Sequence, residues 1–128
     1  MKNVEFILFV NDQNRSREFY RALLEEDPVL DATGMTEFQL TETSKLGLLL
    51  RENAGTILEN EKLMEEAENN TPGCELYLFV ENPALWLRRA VDAGAFMISE
   101  PKVRDWGDIV AYCNDPDGHV IAFAKTLR

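Results

Sequence analysis

The sequence predicts an α+β fold built from two tandem βαβββ modules, and three observations carry that expectation. Glu5-Phe-Ile-Leu-Phe-Val10 and Glu75-Leu-Tyr-Leu-Phe-Val80 match at an offset of 70 residues, with four of six positions identical. Self-similarity of this kind marks a repeated structural unit. Each copy is a short β-rich run followed by a polar turn and a helix-like pattern, and three further short strand patterns complete each half.

In the first half, Asp12 or Asn14 is placed to cap a helix running to about Leu24, whose apolar stripe of Phe19, Tyr20, Leu23 and Leu24 reads as core. Strands are expected over Val29–Ala32, Met35–Leu40 and Leu46–Arg51. Module one is thus residues 1–52 and module two 74–128, joined by a linker over 53–73 within one domain, 1–128. The stretch Ile57–Glu68 is rich in Glu with Leu58, Leu63 and Met64 interspersed, a pattern that suits a mobile amphipathic helix, either a solvated linker or a lid. In the second half, Asn82 caps a helix with Pro83 in its first turn and Leu87, Ala90 and Val91 on its apolar face, stopped by Gly94. Trp86 is expected at the edge of that face. The last strands are expected over Phe96–Pro101, Asp108–Asn114 and His119–Thr126.

Composition narrows the function classes. Of 128 residues, 45% are hydrophobic and 28% charged, enough for one packed domain. Thirteen Lys and Arg against 23 Asp and Glu give a formal charge of −10, which repels the phosphates of nucleic acid and anionic membrane surfaces and attracts cations. No apolar run approaches the ~20 residues of a membrane span. Met1-Lys-Asn-Val leads into a strand pattern without the apolar segment of a signal peptide, so a cytoplasmic protein is expected. Cys74 and Cys113 lie far apart without a CxxC, and both are read as buried reduced thiols.

The second module carries Trp106-Gly107 before a strand and Asp115-Pro116-Asp117-Gly118 before the last strand. With the repeat and the Ala90-Val-Asp-Ala-Gly94 helix end, the chain resembles, over nearly its whole length, the vicinal-oxygen-chelate superfamily. That superfamily includes glyoxalase I, extradiol dioxygenases, and fosfomycin- and bleomycin-resistance proteins. The resemblance implies a glyoxalase/bleomycin-resistance fold whose modules form a cup-shaped curved sheet, and a homodimer. The Asp-Pro-Asp-Gly segment has a structural reason in its turn chemistry, so Asp115 and Asp117 are not counted as catalytic. His119, the one histidine, is read as making a capping or turn contact.

Metal-using relatives hold a divalent ion with side chains from the first and last strands of each module. By the resemblance, the first-strand ligand positions fall on Glu5 and Glu75, and the last-strand position of module two falls on Ala122, which has no donor atom. Two carboxylates alone could hold Mg²⁺ or Mn²⁺ with waters, or share a proton in acid–base chemistry; neither supplies a full ligand set, so no metal cofactor is expected. Period-two alternation places Glu5, Ile7 and Phe9 on one strand face and Glu75, Tyr77 and Phe79 on the equivalent face of the repeat. Val120, Ala122 and Ala124 share a face that leaves room.

Together with Trp106 these residues form the expected ligand-binding set: Glu5, Ile7, Phe9, Glu75, Tyr77, Phe79, Trp106 and Ala122. Aromatic walls with acidic ends suit a small aromatic or cationic molecule. The expectation is therefore metal-independent binding or sequestration of such a ligand, as in bleomycin-resistance proteins, without catalysis. Two alternatives remain open: a metal-dependent lyase, isomerase or dioxygenase, and an interaction module in which the glutamates are rim residues inherited by duplication.

Overall fold

In the computed structural model, which describes residues 1–64 and 73–128, the chain forms two compact units, Met1–Asn69 and Asn70–Arg128. The first contains β1 (Val4–Val10), α1 (Gln13–Leu24), β2 (Leu30–Ala32), β3 (Met35–Thr41), β4 (Ser44–Leu50) and α2 (Arg51–Ile57), then a 3-10 turn at Glu61–Met64. The second contains β5 (Glu75–Phe79), α3 (Pro83–Asp92), β6 (Phe96–Val103), β7 (Asp108–Asn114) and β8 (Val120–Thr126).

Each unit holds one open mixed sheet, ordered β1-β4-β3-β2 in the first and β5-β8-β7-β6 in the second. In both, the first strand runs parallel to the last, and the remaining pairs are antiparallel. The strands that begin at Glu5 and Glu75 are therefore topologically equivalent, as the repeat predicts. The registers correspond as well: Ile7 lies opposite Gly47 in the first unit, and Tyr77 opposite Ala122 in the second.

Local chemistry fixes the helix starts. Asp12, rather than Asn14, caps α1 by accepting from the backbone N–H of Arg15 at 3.0 Å. Asn82 caps α3 by accepting from Leu85 N–H at 3.2 Å, with Pro83 in the first turn. Such caps satisfy backbone donors that the helix leaves open. The apolar stripe of α1 is buried at Phe19, Tyr20 and Leu23, as are Val10, Phe38, Leu46 and Leu48 of the sheet. In the second unit Leu87 and Ala90 of α3 are buried, and so are Ala111, Cys113, Ile121 and Phe123. Trp86 sits half-buried at the edge, its ring 5.9 Å from that of Phe123. Full burial of a Phe such as Phe38 or Phe123 contributes about 2–3 kcal/mol.

Two local expectations are corrected, and a third falls partly on residues outside those described. Arg51 begins α2 instead of ending β4; its Nε donates to Asn11 Oδ1 at 3.0 Å, tying the helix to the end of β1. Among the described residues of the connecting segment, Arg51–Ile57 forms α2 and Glu61–Met64 the 3-10 turn; residues 65–68 of the expected Ile57–Glu68 helix lie outside the described residues. Cys74 is exposed, while Cys113 is buried and its thiol is pushed up to about 12, first by burial and then by the charge of Asp115. No helix among the described residues is long and apolar enough to cross a membrane.

Candidate functional site

In each unit one sheet face packs on the helix, and the alternate residues form the opposite face, where the expected site residues fall. In the first unit that face carries Glu5, Ile7 and Phe9 of β1, Lys45 and Gly47 of β4, and Met35 and Glu37 of β3, placed by register. Gly47 makes room for the carboxylate: a Cβ there would lie 2.5 Å from Glu5 Oε2 and 2.8 Å from Met35 Cε. Glu5 Oε2 is buried with no hydrogen-bond partner. The Glu5 carboxyl is raised to about 7, first by burial and then by the hydrogen bond and negative charge of Glu37, with Lys45 opposing them. Lys45 Nζ stands 3.7 Å from Glu37 Oε1. Glu5 also lines a shallow cleft of about 200 Å³ with Asn3, Gln39, Thr43 and Lys45.

The second unit gathers more of the expected residues. Tyr77 and Phe79 meet edge to face at 5.3 Å, and Trp106 Nε1 donates to the Tyr77 hydroxyl at 3.0 Å. Phe79 is 64% exposed and Trp106 50% exposed. Glu75, also exposed, lies on the same strand face. Its charge adds to burial in pushing the Tyr112 phenol upward, while Arg104 opposes it. The Arg104 guanidinium covers the Tyr112 ring at 5.0 Å and donates to Ser99 Oγ and Val110 O, both at 2.9 Å.

The expectation that Ala122 and Ala124 leave room is corrected. Both are fully buried with Val110, and Tyr77 and Tyr112 pack against them, so the tyrosines fill the space the small residues create.

Sequence reasoning missed Glu37, Gly47, Tyr112, Arg104 and Asp108. Asp108 is buried and accepts from the Tyr77 hydroxyl at 2.7 Å. That bond is the main reason its carboxyl is held below the usual range, assisted by Thr126 and Arg128 against desolvation. One signal was available: Asp108 stands at a strand start otherwise made of apolar residues. His119 makes the expected turn contact, its Nδ1 lying 2.9 Å from Asp115 Oδ2. Asp115 Oδ1 accepts from the backbone N–H groups of Asp117 and His119, each at 2.9 Å. This trio is the one set of potential metal donors that converges among the described residues, and its bonds are those of the turn.

The sequence matches the model of the glyoxalase-like domain over residues 3–128, and the chain belongs to that family. Its fold is similar to that of a glyoxalase-related enzyme from Fulvimarina pelagi, with a TM-score of 0.81 at 23% identity over 96% of this chain and 86% of the other. A glyoxalase/bleomycin resistance protein/dioxygenase family enzyme from Burkholderia phytofirmans gives 0.83 at 17% identity over 96% and 97%. A protein from Agrobacterium tumefaciens, solved in solution by NMR, gives 0.74 at 29% identity over 95% and 94%. No curated protein matches the sequence significantly.

The residues present do not fit the metal that the superfamily resemblance implies. Equivalent register puts Gly47 and Ala122 at the two last-strand positions, and neither has a side-chain donor. The Ala122 position is moreover sealed beneath Tyr77 and Tyr112. Among the described residues, neither Glu5 nor Glu75 belongs to a converging set of three potential metal donors.

Proposed function

We propose that this glyoxalase-like chain binds and sequesters a small cationic aromatic molecule without a resident metal, as bleomycin-resistance-type proteins do, and catalyses nothing. The observation that carries this reading is the open face of the second unit, where the exposed rings of Phe79 and Trp106 share a surface with the exposed carboxylate of Glu75. Aromatic faces attract a cation by about 0.5–2 kcal/mol each, and a carboxylate fixes its position. Ile7 and Phe9 beside Glu5 on β1 supply a second acidic and apolar surface, with one aromatic ring. The protein works in the cytoplasm as a homodimer in this reading; edge strand β6 exposes Phe96, Met97 and Ile98 in succession, surface that a second copy would cover.

The test is a thermal-shift series with benzyltrimethylammonium and related aromatic cations beside Mg²⁺, Mn²⁺ and Zn²⁺. A ligand at 100 times its Kd stabilises the native state by about 2.7 kcal/mol, a shift of several degrees for a domain of this size. A shift with the organic cations supports the reading. A shift with a metal alone contradicts it and favours a metal-dependent lyase or dioxygenase, and no shift with either favours an interaction module.

A further inference from the structure

Three donors and acceptors on the open face of the second unit form a chain whose direction chemistry dictates. The indole N–H of Trp106 can only donate, and the ionised carboxylate of Asp108 can only accept. The Tyr77 hydroxyl lies between them, 3.0 Å from Trp106 Nε1 and 2.7 Å from Asp108 Oδ2. One arrangement satisfies all three: Tyr77 gives its proton to Asp108 and accepts from Trp106. The far end of the chain is rigid, because Asp108 is 1% exposed, stands at the start of β7, and also meets Arg128 Nη2 at 3.4 Å. The near end is a ring half open to solvent on the turn between β6 and β7.

We infer that Asp108 is a positioning residue which, through Tyr77, holds the Trp106 indole as a fixed platform and leaves it only its π surface for recognition. The inference rests on the reading of this face as a site for an aromatic cation and says how that site discriminates. With its N–H committed to Tyr77, Trp106 offers a ligand no hydrogen-bond donor, and the Tyr77 proton is equally committed. What remains is a ring face beside Phe79 and Glu75, suited to a quaternary or aromatic cation and indifferent to neutral hydrogen-bond acceptors. A buried anion behind the phenol also strengthens the hydrogen bond that Tyr77 accepts, since linked bonds polarise one another. Fixing the ring before the ligand arrives removes the cost of ordering it on binding.

The experiment uses the full chain carrying Trp86→Phe, so that Trp106 is the one tryptophan, and reads acrylamide quenching of its fluorescence without ligand, then benzyltrimethylammonium binding by calorimetry. Tyr77→Phe, which removes the shared hydroxyl, is expected to raise the quenching constant about 2-fold and to weaken the probe about 3- to 10-fold. Asp108→Asn, which keeps an acceptor oxygen for Tyr77, is expected to stay near the parent in both, whereas Asp108→Ala follows Tyr77→Phe. These readouts separate positioning from mere packing, because a structural role alone gives no rescue by Asn. A measurement on the unsubstituted chain guards against misfolded variants: the Trp106 indole N–H resonance should exchange with water at least 10-fold more slowly than a free indole, despite the exposed ring. Rapid exchange, or unchanged quenching in Tyr77→Phe, overturns the inference whatever the probe does. Raised quenching with no probe bound by any form, the parent included, supports the positioning and overturns the cation reading instead.

Discussion

Replacing Glu5 by Gln should make the protein more stable, and only on the alkaline side of a defined window. The Glu5 carboxyl rises from 4.5 to about 7, because one oxygen is buried over Gly47 and Glu37 stands beside it. At 1.36 kcal/mol per unit the whole rise is worth about 3 kcal/mol. Glu5 is only partly buried, and solvent screening brings the realistic figure to about 1–2 kcal/mol. A raised folded-state pKa means that the folded chain binds more protons than the unfolded chain between about 4.5 and 7, so the ionising carboxyl weakens the fold as pH climbs through that range. Below it both states are protonated and the penalty is absent; above it the penalty is complete. Urea denaturation of wild type and Glu5→Gln from pH 5 to 8 should therefore show a gap that widens with pH, reaching about 1–2 kcal/mol at pH 8. Glu37→Gln, which removes the adjacent negative charge, should move the inflection of that gap to lower pH. A gap between wild type and Glu5→Gln that stays constant from pH 5 to 8 would refute the buried-carboxyl argument.

Gly118→Ala should lower the urea midpoint by an amount equivalent to about 1 kcal/mol, because Gly118 has φ of +92° in the turn before β8 and a side chain is strained there. Elemental analysis of the purified protein should find no stoichiometric transition metal; one tightly held Zn, Ni or Fe per chain would reverse the ranking of the functional readings. Sedimentation at micromolar concentration should show a dimer, and a sole species of 14.6 kDa would dismiss that expectation.

Much of the fold is legible in the sequence because its signals are local. The strand Asp108–Asn114 and the caps at Asp12 and Asn82 follow from alternation, turn residues and side-chain donors a few positions apart. The duplicated Glu-x-x-Leu-Phe-Val segment exposes the topological equivalence of β1 and β5 without any structural information. What escapes is set by register between strands distant in sequence. Glu37 meets Glu5 only because β3 and β1 flank β4 at Gly47, and the register slips between Gln39 and Thr41, so counting along the chain does not find the pair. The same holds for Tyr77 and Tyr112, which close over Ala122 from the two strands beside it. Arg51 reads as the end of an apolar strand until its guanidinium finds Asn11, 40 residues earlier. Asp108 looks like an ordinary polar strand start until Tyr77 appears above it.

The central claim is that Glu75, standing with Phe79 and Trp106, holds a cationic aromatic molecule, and calorimetric titration of wild type and Glu75→Gln with benzyltrimethylammonium tests it most directly. A charge-assisted contact at a partly wet site is worth about 1.5–3 kcal/mol, so Glu75→Gln should weaken binding by about 10-fold or more with the melting temperature nearly unchanged. Equal affinity in the two proteins, or no heat of binding in either, would contradict the account.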